Sequence, residues 1–396
     1  MEIFNFLFLL LIIIASSIFL YLITQIKIQK QTPNSSSQSE VRFVLDYFSA
    51  LQNKKTLKKE ITVQAWQGNY NHTLLGSLTN YLFEPLEIIK NFAKETNNNL
   101  IWKSKQKFYI CVHDTGCNVH TAKEWNEAVV NEFIDGSKYK ASFQYVVGND
   151  GIYHNIPDDI IGFHAGDGTH YEYKLYDSNV EFNGNYNPII TISNDGYFEI
   201  DYVKSVIKAP LKNGEIPLTS DINDIGIRTV VENGKYYLGE TWFSYDYMKV
   251  SNHGGNVNSI GIESCVNKGS DIYYTWMKDA KLIAFLMDKY NLGINDVVPH
   301  HFFSGKDCPM TMRHSNMYQH VKDLALIEFN ILQFEKNGFK ISFNCDNKEF
   351  VSDNGKVIKS PEYDIKVNYV ITVEKDGYKE SRAFTSVIPG KNSNEE

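Results

Sequence analysis

The segment Val297 to Pro309 reads Val-Val-Pro-His-His-Phe-Phe-Ser-Gly-Lys-Asp-Cys-Pro and carries an imidazole at His300, an amine at Lys306 and a thiol at Cys308. It constrains the fold because these groups make most of a hydrolytic zinc site but not all of one. Zinc takes mixed nitrogen and sulfur ligands, and a catalytic site needs a third protein ligand plus an open position for water. The third ligand has to be folded in from elsewhere. Lys107 to Gly116, Lys-Phe-Tyr-Ile-Cys-Val-His-Asp-Thr-Gly, is a strand-like apolar run that ends in His113 before turn residues. Asn258 to Cys265, Asn-Ser-Ile-Gly-Ile-Glu-Ser-Cys, reads as a buried strand with one carboxylate, Glu263. A buried carboxylate is costly without a partner, so Glu263 serves either an ion pair or a reaction. Taken singly, a His at a strand end or a Cys near a His reads as a packing residue. The three segments together point to a site.

At these residues the chain resembles the zinc-dependent N-acetylmuramoyl-L-alanine amidases of phage endolysins and bacterial autolysins, whose fold is shared with the peptidoglycan recognition proteins. The resemblance is carried by His113-Asp114-Thr115-Gly116, by Ala141 to Val147 and by Phe163-His164-Ala165-Gly166-Asp167-Gly168. It continues through Ser259-Ile260-Gly261-Ile262-Glu263 and His300 to Pro309, in the family's order. It implies that His113, His300 and Cys308 hold Zn2+, with Cys308 as thiolate and His301 as a neighbour only. It further implies that Glu263 is the catalytic carboxylate and that Lys306 supports the transition state. Such a set suits amide hydrolysis: metal to polarise the carbonyl, a carboxylate to move the proton, a cation at the oxyanion.

Two positions depart from the family pattern. The phage-lysozyme branch has a catalytic Tyr where this chain has Phe143, and the endolysin branch often has His where it has Gln144. A phenol's role there is either lost or moved to Tyr145. The Asp common two residues after the second His ligand is Phe302 here, which is expected to weaken orientation without abolishing metal binding.

Strand-like runs alternating with helical ones predict an α/β core with a mixed central sheet flanked by helices. Helical spacing is read over Val41 to Asn53, Leu74 to Glu95, Ala122 to Phe133 (Thr121 as cap, Glu124 three residues on), Trp276 to Tyr290 and Met312 to Phe334. Between the His164 and Glu263 motifs, residues 169–255 form an aromatic, Tyr-rich insert. Its Asn194-Asp195-Gly196 and Glu232-Asn233-Gly234 turns predict β-hairpins. The aromatics either pack a β subdomain or wall a glycan- or peptide-gripping groove, and His253 reads as a turn residue. Residues 336–390, alternating and with turns at Asn354-Gly355 and Asp376-Gly377, are expected to form a small β-sandwich similar to bacterial immunoglobulin-like modules. The expected order is then an anchor over 1–24, a flexible linker over 25–40, the amidase-like domain over 41–335, the β-sandwich and a tail over 391–396.

The anchor is Ile3 to Ile23, an apolar run long enough to cross a bilayer. Its flanks, with Glu2 before and Lys27 and Lys30 after, favour a cytoplasmic body, whereas a cell-wall substrate requires an extracytoplasmic one; the site argument carries more weight than two lysines. A net charge of −8 with no basic tract argues against a nucleic-acid partner. Five cysteines are too few for a disulfide framework, and Cys111 and Cys265 are read either as one bridge or as two buried thiols. The resemblance makes peptidoglycan the expected partner. A non-catalytic peptidoglycan-binding protein on the same fold is the rival reading, set against the presence of all three ligands, and an enzyme of another N-acylated peptide is the third.

Overall fold

The strand-like runs pair as the chemistry requires. The computed structural model describes residues 36–94, 103–104, 107–165, 175–185, 188–223, 227, 229–239 and 255–392. Its central sheet orders six strands as Val297–Pro299, Tyr109–Asp114, Ser259–Ser264, Tyr145–Gly148, Gly151–His154 and Ile89–Lys90. The first four run parallel, the hairpin 145–154 is antiparallel, and the edge strand is parallel again. The sheet is therefore mixed, as expected. Strand side chains alternate between faces. Ile110, Val112, Ile260, Ile262, Tyr145 and Val147 pack one face against the helices Ile272–Tyr290 and Tyr318–Lys336. The other face, with Cys111, His113 and Glu263, is left for the site.

Local signals set the helix ends. Glu124 accepts from the Thr121 backbone N–H at 2.8 Å and donates its own N–H to the Thr121 hydroxyl, closing the expected capping box of Ala122–Asn131. Asp271 caps the N-terminus of Ile272–Tyr290 by accepting from Tyr274 N at 3.0 Å. Two expected helices differ. Met312 to Phe334 is two helices, Met310–His314 and Tyr318–Lys336, broken where Asn316 takes a left-handed φ of 55°. The expected helix Leu74 to Glu95 is not helical over its described residues 74–94: Leu74 pairs with Lys59 in a two-stranded sheet, Asn80 is left-handed, and Pro85 bars a helix through the middle.

Among its described residues the insert forms two three-stranded sheets, Ile190–Ile192 with Tyr197–Ile200 and Val203–Lys208, and Thr229–Glu232 with Lys235–Gly239 and Leu175–Glu181. Both expected hairpins are present. Its own core takes Phe198, Ile200, Ile227, Tyr236 and Leu238, so Tyr236 is a packing residue. His253 and the insert aromatics Tyr171, Tyr173, Tyr186, Trp242, Tyr245 and Tyr247 lie outside the described residues.

The C-terminal β-sandwich does not form. Lys340–Cys345, Ile365–Lys375 and Tyr378–Ile388 make one antiparallel sheet, and its apolar face is covered by the helix Ser36–Leu51 through Val41, Val44, Leu45 and Phe48. An alternating strand pattern shows that one face needs a cover but not what supplies it. Here the opposite end of the chain does, so residues 36–40, expected in the linker, are already helical and the C-terminal module uses both ends of the chain. The expected anchor Ile3 to Ile23 lies outside the described residues. Among the described residues no helix is long and apolar enough to cross a membrane.

Candidate metal centre and its surroundings

Register brings the upstream His and the carboxylate side by side. Glu263 pairs with His113 and Gly261 with Cys111 on the parallel strands Ser259–Ser264 and Tyr109–Asp114, while Val298 pairs with Cys111 from the other side. The strand Val297–Pro299 then releases the chain directly into the short helix His300–Ser304, so His300 stands at its first residue beside the end of the His113 strand. Gly305 ends that helix at φ +73°, and a Cβ there would come within 2.3 Å of the Ile227 backbone of the insert. Only glycine fits. Lys306, Asp307 and Cys308 follow.

This loop is braced on both sides. His301 N–H donates to the Cys308 carbonyl at 3.1 Å and Cys308 N–H to that of Lys306 at 2.8 Å. Asp307 accepts from the buried Arg313 guanidinium and from His314 Nε2 at 2.6 Å. Arg313 Nη2 also donates to Pro188 O at 2.7 Å, which ties the insert to the loop. Thr311 N–H donates to Asp114 Oδ2 at 2.6 Å, pinning the end of the His113 strand to the helix that follows Cys308. None of these braces is legible in the sequence, since each depends on which residues the fold brings together.

The resulting cluster is tight. The ligand-capable atoms of His113, His300 and Cys308 all lie within 4.8 Å of one another, and the three residues are 2%, 7% and 7% exposed. His113 Nδ1 stands 3.6 Å from Cys308 Sγ and 3.8 Å from Glu263 Oε1. Burial pushes the basicities of His113 and His300 well below the usual imidazole range, so both rings are neutral donors. Burial also pushes the Cys308 thiol well up, with Asp114 and Glu263 adding and Lys306 opposing. The Glu263 carboxyl is pushed well up by burial, then by Asp114, while the Lys306 ammonium pulls it down. Lys306 is thus the cation whose field reaches Glu263, Cys308 and both histidines.

The donor set fits zinc. With Zn–N of about 2.0–2.1 Å and Zn–S of about 2.3 Å, a nitrogen and a sulfur on a tetrahedral ion stand about 3.5 Å apart, close to the 3.6 Å between His113 Nδ1 and Cys308 Sγ. A buried thiol and a buried carboxyl facing neutral imidazoles need positive charge to ionise, and a divalent cation supplies it. Two nitrogens and one sulfur also leave the open position of a catalytic site.

The departures from the family pattern resolve individually. Tyr145 points to the opposite face of the sheet from His113 and Glu263, where its hydroxyl donates to Asp158 at 3.2 Å, so it takes over no phenol role at the site. Phe143 is buried in the cluster under the helix Ala122–Asn131. Gln144 bridges strand and loop, accepting from Gly261 N–H and donating to the Ile160 carbonyl, each at 2.8 Å. Phe302 packs on the Tyr109 ring at 5.4 Å between centroids. Cys111 and Cys265 form no bridge. Every cysteine is a free thiol, with Cys111 beside His113 and Cys265 packed in the cluster of Cys117. Tyr139, unremarked in the sequence, lies close enough for the Glu263 charge to raise its phenol further than burial alone does.

Beneath Glu263, on the other face of its strand, Ser264 Oγ donates to Asp279 Oδ2 at 2.5 Å. Burial pushes the Asp279 carboxyl from its ordinary 3.8 up to about 8. The folded state therefore holds this proton more tightly than the unfolded chain does. The sign follows: the contribution to stability is complete below the ordinary value of 3.8 and is lost as pH rises towards about 8. In Asp279→Asn the titration disappears while an acceptor for Ser264 remains. Denaturant midpoints should show the parent losing stability relative to this variant between about pH 5 and pH 8. A difference that stays constant across that range would mean that Asp279 is already ionised in the fold.

Residues 104–311 match the family described as N-acetylmuramoyl-L-alanine amidase. This is just over half of the chain, and the chain belongs to that family. It is 24% identical over 222 residues to the N-acetylmuramoyl-L-alanine amidase CwlH of Bacillus subtilis (strain 168), covering 56% of this chain and 55% of that protein. It is 43% identical over 58 residues to the N-acetylmuramoyl-L-alanine amidase XlyA of the same organism, 15% of this chain and 20% of that protein. The chain thus spans about half the length of CwlH and a fifth of XlyA. Among solved structures it is similar to a mutant endolysin from Bacillus subtilis, at 20% identity and a TM-score of 0.36, covering 61% of this chain and 99% of that one. It is likewise similar to the catalytic domain of XlyA, at 21% identity and a TM-score of 0.36, again covering 61% and 99%.

Proposed function

We propose that the chain is a zinc-dependent N-acetylmuramoyl-L-alanine amidase that cuts the amide between N-acetylmuramic acid and the L-alanine of the peptidoglycan stem peptide. The observation that carries this reading is the buried cluster of His113, His300 and Cys308 with the Glu263 carboxylate 3.8 Å from His113, in a chain of the amidase family. Zinc held by His113, His300 and Cys308 would supply Lewis acidity to the scissile carbonyl and to the attacking water. Glu263, 15% exposed and so open at its edge to a substrate, takes the proton from that water and returns it to the leaving amine. Lys306, whose charge reaches the whole cluster, offsets the negative charge that develops on the carbonyl oxygen. The insert, tied to the loop through Pro188 and Ile227, borders the same region.

Digestion of purified peptidoglycan tests the reading. Mass analysis should find stem peptides with a free L-alanine amino terminus and glycan strands that keep intact lactyl groups. Release of shortened peptides or of disaccharides instead would assign a different bond, and wall binding without any cleavage would favour the non-catalytic receptor.

The apolar run Ile3 to Ile23 supports a further part of the proposal, that the protein is tethered to the cell membrane with its catalytic body outside. Protease added to intact, wall-stripped cells should then digest the body while a cytoplasmic control survives. Full protection would place the body in the cytoplasm and make a recycled wall fragment the better substrate.

A further inference from the structure

His113 has a second cluster on its outer side. Its Nε2 lies 3.0 Å from His164 Nδ1 and 3.2 Å from Cys111 Sγ, and these three residues also form a group with metal-ligating side chains. Spacing separates the two groups. Ligand atoms on a shared tetrahedral zinc would stand about 3.3 Å apart for two nitrogens and about 3.5 Å for nitrogen and sulfur. The Cys308 contact has that length, whereas both contacts at Nε2 are shorter, and 3.0 Å between two ring nitrogens is a hydrogen-bond distance. One group is spaced for a cation and the other for a proton.

His164 is itself fixed. Its backbone N–H and that of Ala165 donate to Asn256 Oδ1 at 2.8 and 2.7 Å. Its ring lies so close over Gly261 that a Cβ there would come within 2.9 Å of three ring atoms. Gly261 in turn is held by Gln144. The ring thus has one place to sit, wedged between the Glu263 strand and His113. Its remaining nitrogen, Nε2, is buried without a hydrogen-bond partner.

We propose that His164 is a positioning residue: its neutral Nδ1 accepts the Nε2–H proton of His113, fixing His113 in the tautomer whose bare Nδ1 faces His300, Cys308 and Glu263. The inference rests on the metal-centre reading above and adds which nitrogen of His113 is the donor and what selects it. A neutral imidazole carries one proton on either nitrogen. Without His164 the neighbour left at Nε2 is the Cys111 thiol, a weak acceptor, and a fraction of the protein would hold the proton on Nδ1, where it blocks ligation. Partners of this kind at ligating histidines are worth roughly 10- to 100-fold in metal affinity.

The test measures protons and metal, independently of wall cleavage. In the whole chain with zinc, long-range ¹H–¹⁵N correlation spectra should show His113 protonated at Nε2 and bare at Nδ1. The opposite tautomer overturns the proposal whatever the variants do. In competition titrations with a chromophoric chelator, His164→Ala should bind zinc about 10- to 100-fold more weakly. His164→Gln, whose side-chain oxygen can accept the same proton, should recover most of that loss. Variants that fold but bind zinc as tightly as the parent overturn it as well, and so does equal weakening in Ala and Gln, which would mark a merely structural role. If the parent itself binds no zinc, it is the metal-centre reading that fails.

Discussion

Glu263→Gln is expected to lower turnover on peptidoglycan by about a hundredfold to ten-thousandfold, with zinc content and melting temperature close to those of the parent. The amide has nearly the shape of the carboxylate, so packing on the strand Ser259–Ser264 is kept, but it cannot take a proton. Glu263 contributes no ligand atom to the metal group, so the metal should stay. Turnover on a soluble muropeptide, measured beside metal content, checks it. Parent-like turnover in the variant would remove Glu263 from the mechanism.

The site was legible from sequence because its chemistry is concentrated in residue types with few innocent uses at that spacing. His300, Lys306 and Cys308 fall within one short segment, and His113 and Glu263 each end or interrupt an apolar strand. Parallel pairing then makes Glu263 the direct neighbour of His113. The supporting residues were less legible. Asp307 and Arg313 carried no role in the sequence, yet Arg313 is 4% exposed and joins the loop to the insert. His164 was visible as part of a motif but carried no role, because the contact that gives it one spans 51 positions in the chain.

The fold shows the same division. Turn chemistry and caps, which act over a few residues, were read correctly at Thr121, at Asn233-Gly234 and at Asp376-Gly377, where left-handed backbone is required. What failed depends on distant partners. The C-terminal strands needed a cover, and a helix more than 280 positions away supplies it, with Arg42 Nε donating to Glu380 at 3.0 Å across that separation. Periodicity identifies an apolar face and says nothing of its partner.

Cys308→Ala should abolish stoichiometric zinc binding and, with it, hydrolysis. Cys308 is the one sulfur in the cluster of His113 and His300, and removing it leaves two neutral nitrogens and no anionic ligand to match a divalent charge. The loop should keep its shape, because what holds it, the Asp307 contacts to Arg313 and His314 and the Thr311 bond to Asp114, does not involve the thiol. Cys308→Ser separates ligation from packing: the hydroxyl nearly fills the same space but is a poor zinc ligand, so it too should lose the metal while melting near the parent. Cys111→Ala is the matching control. That thiol is as buried as Cys308 and lies 3.2 Å from the outer nitrogen of His113, at a spacing too short for a shared zinc, so its loss should leave one zinc per chain. Metal analysis of the three purified variants decides the assignment, and a Cys308→Ala protein that retains a full equivalent of zinc, or a Cys111→Ala protein that loses it, would move the metal to the other side of His113.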